Sequence, residues 1–180
     1  MVGSRRFYLV INMITLTHNA GAFLRRGGEY LLMLRGPDRR FLPNTWSNIG
    51  GGMERGEMDD PRAACLREIK EETGIEAGQI RNLQLRYIIV RRRGDCVSHS
   101  YVYFGETDAE PSITTDEGTV HWAPESELLD RKLSATFRAM LEHYLRMPDP
   151  GHVIVGCAEN DNETCRMVWA KLEDFEGATS

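Results

Sequence analysis

Residues Gly50 to Ile75, GGGMERGEMDDPRAACLREIKEETGI, restrict the fold more than any other part of the chain. They read as a tight glycine loop feeding a short helix. Asp60 can act as N-cap, Pro61 suits the first helical position, and Gly74 can close the C-terminus. Between these marks Glu68, Glu71 and Glu72 stand at i, i+3 and i+4 and share one helical face, while Cys65, Leu66 and Ile69 form an apolar stripe for a core. Crowded carboxylates repel one another by a few tenths of a kcal/mol per neighbouring pair. Two readings follow: a solvated helix face, or an oxygen-ligand site for a hard divalent cation such as Mg2+, which takes carboxylates, waters and substrate phosphates.

With those residues placed, the stretch resembles the signature of the Nudix hydrolases, G-x5-E-x7-R-E-U-x-E-E-x-G-U, where U is bulky and apolar. Gly51, Glu57, Arg67, Glu68, Ile69, Glu71, Glu72, Gly74 and Ile75 match it. One departure is plain: nine residues, Met58 to Leu66, separate Glu57 from Arg67 where the pattern has seven. Because Asp60-Pro61 marks the helix start, the extra pair is expected in the loop. The insertion bears on the Glu57–Arg67 ion pair usual in the family.

The resemblance implies an α+β Nudix fold, a mixed β-sheet sandwiched between helices (α/β/α), in a domain spanning residues 1–147. It implies hydrolysis of a nucleoside diphosphate linked to another moiety, with Mg2+ as cofactor and Mn2+ as the alternative. Carried over by position, Glu68, Glu71 and Glu72 are the metal-binding and catalytic acids, and the Gly50 carbonyl is a backbone ligand. Glu57 and Arg67 are bracing residues, with Gly51 and Gly74 as structural glycines. A further acid often precedes a strand ending in Trp. In Asp116-Glu117-Gly118-Thr119-Val120-His121-Trp122 that acid is Glu117 in preference to Asp116, against the alternative of a solvated acidic loop.

Substrate choice lies outside this box. Trp46, Ser47 and Asn48, on the approach to the glycines, resemble members that hydrolyse nucleoside triphosphates, oxidised ones among them. Purine-reading members often carry Asn directly after the Trp. Here Ser47 stands there, and strand alternation is expected to turn Asn48 to the other side. No proline lies between Pro61 and Pro111, which counts against the ADP-ribose-type members. A nucleoside triphosphate is therefore the first expectation and a nucleotide sugar or dinucleotide the second. A non-catalytic nucleotide sensor is the third, although such domains usually lose the box acids.

The 180 residues suit one domain with an appendage, and a net charge of -5 gives no basic footprint for a nucleic-acid polymer. Five arginines between 81 and 93 read first as a solvated hairpin tip and second as a steering surface for phosphate-rich ligands. The four cysteines show no C-x-x-C spacing, so reduced thiols are expected. No run of ~18 apolar residues is present, and the N-terminal stretch fits a signal peptide poorly; no membrane partner and a cytoplasmic location are expected. The five histidines are scattered and read as surface or packing residues.

In chain order, strands are expected over 7–17, 20–24 and 29–35, the last two joined by a hairpin at Gly27-Gly28. Strands over 80–90, 97–104 and 119–123 follow, then a helical turn at 124–129 and an amphipathic helix over 134–146. Residues 148–180 form a C-terminal β-hairpin extension, with Val153, Val155, Met167 and Trp169 expected on one face. That face is expected to pack on the domain or in a homodimer.

Overall fold

The structure, a computed structural model, describes residues 13–113, 115–147, 151–161 and 164–173. Its centre is one nine-stranded mixed sheet. The strands are β1 (Thr15–Arg26), β2 (Glu29–Arg35), β3 (Trp46–Ser47), β4 (Ile49–Gly52), β5 (Arg81–Arg93), β6 (Cys96–Glu106), β7 (Gly118–Pro124), β8 (Val153–Asp161) and β9 (Thr164–Leu172). The principal order is β3-β2-β1-β6-β5-β8-β9, with β4 paired to β1 and β7 to β2. The β1–β6 and β5–β8 ladders are parallel and the others antiparallel.

Two helices, α1 (Pro61–Thr73) and α2 (Ala135–Arg146), cover opposite faces. Alternation along the strands assigns each side chain to its layer. Phe23, Tyr30 and Leu32 join Met140, Leu141 and Tyr144 of α2 in one core, whereas Ala22, Leu24, Leu31 and Met33 join Ala64, Cys65 and Ile69 of α1 in the other. In the α2 layer the Tyr144 ring stacks on Phe104 with centroids 3.9 Å apart. This is the expected sheet between helices. Among the described residues no helix is long and apolar enough to cross a membrane.

Two expectations are corrected. The separate strands over 7–17 and 20–24 are one strand from Thr15, and residues 7–12 of that expectation lie outside the described residues. The polar pair His18-Asn19 does not interrupt β1, because β6 pairs it residue for residue from Thr15↔Cys96 to Arg25↔Glu106. The second correction concerns the face of the terminal hairpin, whose strands extend the sheet. Tyr87↔Ile154 through Val90↔Cys157 join β8 to β5.

The expected hairpin face is redistributed. Antiparallel partners share a face, and the register sets Gly156 opposite Trp169 and Ala158 opposite Met167. Met167 and Trp169 therefore face the α2 layer, Trp169 lying against Tyr87 and His143 with centroids at 5.7 and 4.6 Å. Val153 and Val155 belong to the opposite face, where Val155 pairs with Ala170.

Gly156 is the notch that admits the Trp169 ring, since a Cβ there would overlap the ring carbons. Gly156→Ala is expected to lower stability by about 1–3 kcal/mol, read as a lower denaturant midpoint at unchanged slope. An unchanged midpoint would contradict this packing of the hairpin.

Candidate active site

The box folds as its punctuation indicates. The Asp60 carboxylate accepts from the Ala63 N–H at 3.0 Å, Pro61 opens α1, and Gly74 closes it with its N–H on the Lys70 carbonyl. The extra loop residues are absorbed between a short 3-10 turn, Arg55–Glu57, and the helix start. The Glu57–Arg67 pair survives the insertion: Arg67 Nε donates to Glu57 Oε1 at 2.7 Å and Nη2 donates to Oε2 at 2.9 Å.

The same guanidinium donates through Nη1 to Glu68 at 2.9 Å and Glu71 at 2.8 Å, and through Nη2 to the Gly52 carbonyl at 3.0 Å. All five N–H donors of Arg67 are thereby used. The bonds from Arg67, with one from the Glu54 N–H, hold the Glu57 carboxyl down at about 2. The Arg67 guanidinium is correspondingly raised, first by its bonds to Glu57.

The three box acids do not share one environment. Successive residues on a helix are about 100° apart, so Glu71 and Glu72 diverge. Glu71 is exposed, with 56% of its side chain open to solvent, and Glu68 is mostly covered at 13%. Glu72 turns inward beside Ile69 and Thr73, is 4% exposed, and accepts from the Gly50 N–H at 2.8 Å. The buried face of α1 thus contains an acid as well as Ala64, Cys65 and Ile69, and Leu66 of the expected stripe is half-buried.

Burial, then the charges of Glu68 and Glu117, push the Glu72 carboxyl up to about 8 against the bond from Gly50 and the charge of Arg35. Burial raises Glu68 too, with Arg67 opposing.

The glycines make this approach feasible. Gly50 has φ 149°, and a Cβ there would overlap the Ala20 carbonyl of β1. At Gly51 a Cβ would stand 2.7 Å from Glu68 Oε2, so the carboxylate occupies that space.

A cleft of about 350 Å3 opens on the α2 side of the sheet. Gly50, Gly51, Gly52, Glu68 and Glu117 line one end, and Arg35, Arg39 and Arg91 contribute cationic lining. Glu117, not Asp116, lines it, and Arg39 Nη2 lies 3.1 Å from the Glu117 carboxylate. Glu71 and Glu72 do not line the cleft; Glu72 lies behind the Gly50 backbone.

Trp46, Ser47 and Asn48 all line this cleft, so the expectation that Asn48 points away is corrected. Asn48 lies between β3 and β4, where alternation is interrupted, and its amide packs against Gly21. The expectation that the 81–93 arginines form a solvated tip is corrected at Arg91, which lines the cleft and donates through Nε to Ser98 Oγ at 3.0 Å.

Sequence reasoning missed Arg39, Phe41 and the start of α2, where Ser134, Thr136 and Phe137 line the opposite wall. Nothing local marks them, because the cleft is assembled from segments far apart in the chain. The cysteines are free as expected, and burial pushes the Cys65 thiol up to about 12.

As donors, the Glu68, Glu72 and Glu117 carboxylates suit a hard divalent cation, and their mutual repulsion is what a cation would relieve. No three His, Cys, Asp or Glu side chains among the described residues close into a ligand set. Arg67 pairs with Glu68 and Glu71.

Residues 15–144 match the NUDIX domain family. The chain belongs to that family. A curated relative, nucleoside triphosphatase NudI of Enterobacter sp. (strain 638), is 43% identical over 51 residues, 28% of this chain and 35% of that protein. Another, the chloroplastic Nudix hydrolase 26 of Arabidopsis thaliana, is 46% identical over 39 residues, 22% of this chain and 17% of its own length. The chain thus spans about a third or less of either relative.

Among solved structures, a MutT protein of Bacillus halodurans superposes with a TM-score of 0.64 at 21% identity, over 85% of this chain and 97% of that one. An Ap4A hydrolase of C. elegans gives 0.60 at 17% identity, over 73% and 97%. At these identities the superpositions show the shared fold.

The buried acid generates a pH prediction. The folded pKa of Glu72 lies above its ordinary 4.5, so stability is full below that value and is lost as pH rises toward about 8. Glu72→Gln removes this loss. In chelator, its unfolding midpoint is expected to gain on wild type steadily as pH is raised from about 4.5 to about 8. A gap that stays constant across that window would contradict an ionisable, desolvated Glu72.

Proposed function

We propose that this chain hydrolyses the pyrophosphate bond of a nucleoside diphosphate linked to another moiety, a nucleoside triphosphate foremost, in a reaction that depends on Mg2+ or Mn2+. The observation that carries the reading is the pairing of opposite charges in one cleft. Mutually repelling carboxylates, Glu68 and Glu117, line the same cleft as Arg35, Arg39 and Arg91, and Arg39 pairs with Glu117 at 3.1 Å. Carboxylates alone call for a cation, and arginines alone for an anion. Together they suit a polyphosphate delivered with a divalent metal. The name of the NudI relative, a nucleoside triphosphatase, supports the choice of substrate.

In this reading Glu68, Glu71, Glu72, Glu117 and the Gly50 carbonyl would hold the cation. A cation held there would supply charge neutralisation at the phosphoryl oxygens and a lowered pKa for the attacking water. The chain's own groups do the rest. A box carboxylate takes the proton of the water as its oxygen bonds to phosphorus. The bridging P–O bond breaks, and its electron pair leaves on the departing phosphate or pyrophosphate. Arg35 and Arg39 lie where they can hold the phosphoryl oxygens, and Arg39 exchanges its Glu117 partner for them. Arg67 contacts no substrate and acts by orienting Glu68 and Glu71.

Chromatographic product analysis across a panel of nucleoside triphosphates, nucleotide sugars and dinucleotides, resolving nucleoside phosphates, sugar phosphates, phosphate and pyrophosphate, tests the reading. Turnover should vanish in chelator and return with Mg2+ or Mn2+; full turnover in excess chelator would refute it. Glu71→Gln and Glu72→Gln should each reduce kcat by at least about 10^2 with the fold retained. Near-wild-type rates in both would remove the assignment of these acids.

A further inference from the structure

The outer end of the cleft combines an exposed aromatic ring with cations that have no acid partners. Phe41 lies in the loop joining β2 to β3 and lines the cleft, yet is 42% exposed. The loop is built to hold the ring there. Arg35 Nε donates to the Phe41 carbonyl at 3.3 Å, Thr45 Oγ1 donates to the Leu42 carbonyl at 2.7 Å, and the Asn44 N–H donates to the Arg35 carbonyl at 3.1 Å. Leu42 and Asn44 take φ of 50° and 53°, unfavourable above all for the bulky leucine, so contacts rather than local preference fix the loop.

Beneath the ring, Arg91 and Arg93 of β5 each bring a guanidinium carbon to 5.7 Å from its centroid. Alternation places both on the same side of the strand. Among the described residues neither has a carboxylate within ion-pair distance, whereas Arg92 between them lies 3.9 Å from Asp95. Arg91 lines the cleft and spends its Nε on Ser98, which leaves its terminal nitrogens without a carboxylate partner among the described residues. An open aromatic face beside unpaired guanidiniums suits a ligand that is both planar and rich in acceptors.

Resting on the nucleotide reading above, we propose that Phe41 is the stacking platform for the substrate's base and that Arg91 donates to that base or its sugar. The acids and Arg39 at the inner end take the phosphates. Specificity for a base-bearing substrate over bare polyphosphate then resides in the β2–β3 loop and β5, outside the box.

Calorimetric titration with non-hydrolysable GTP and ATP analogues and inorganic tripolyphosphate in Mg2+, on wild type, Phe41→Ala, Phe41→Trp and Arg91→Ala, tests this without turnover. Phe41→Ala should weaken the nucleotides at least about tenfold and leave tripolyphosphate unchanged, and Phe41→Trp should restore them. Arg91→Ala should weaken the nucleotides more than tripolyphosphate. Equal losses for nucleotides and tripolyphosphate, no loss at all, or no nucleotide binding by wild type would each overturn the inference.

Kinetics separates the two readings. Nucleotide turnover with an unchanged KM in Phe41→Ala defeats the stacking site and leaves the hydrolase standing. Phe41-dependent binding by a protein that turns nothing over does the reverse.

Discussion

Arg67 joins the loop, the helix and two of the helix acids into one unit. Glu57 reaches it from the loop, Glu68 and Glu71 from its own helix, and the Gly52 carbonyl from β4. A lysine could not reproduce this, because a planar fork is needed to meet partners from several directions at once. Removing the cation would leave like charges facing each other beside a backbone already drawn close to β1. The tightness of the glycine loop and the crowding of the acids are therefore one arrangement, and Arg67 makes it tenable in the free protein.

Glu72 sits outside that network and behaves differently. It is the acid most removed from water, its bond comes from a backbone N–H, and no arginine touches it. Neutralisation by a proton and neutralisation by a cation are alternatives for such a group. In this way the helix carries a solvated acid, a braced acid and a buried acid within five residues.

The parts legible in the sequence were those with local causes. Asp60, Pro61 and Gly74 bound the helix through backbone chemistry that each performs on its own neighbours, and Gly27-Gly28 and Gly94 mark turns the same way. The amphipathic pattern of 134–146 likewise suffices to place a helix over the sheet. The illegible parts depend on register between distant segments. Arg39 meets Glu117 because β2 pairs with β7, and Arg91 meets Phe41 because β5 runs beside the β2–β3 loop. Asn48 was misplaced because alternation holds within a strand and not across the break between two. The faces of the terminal hairpin could not be assigned before its partner was known, since a slip of one residue exchanges them.

The parallel ladder between β5 and β8 has a consequence for the order in which the molecule can be completed. β5 supplies Ile89 and Arg91 to the cleft, yet one of its two neighbours arrives some sixty residues later in the chain. During synthesis, therefore, the helix with its acids can be in place while β5 still presents an open edge. Such contacts between distant segments form slowly, and an unpaired edge recruits other chains until it is covered. Once β8 and β9 are added, the open edge passes to β9, on the far side of the sheet from the glycine loop. A segment translated after every residue of the cleft is thus the one that shields the cleft's own strand from stray pairing.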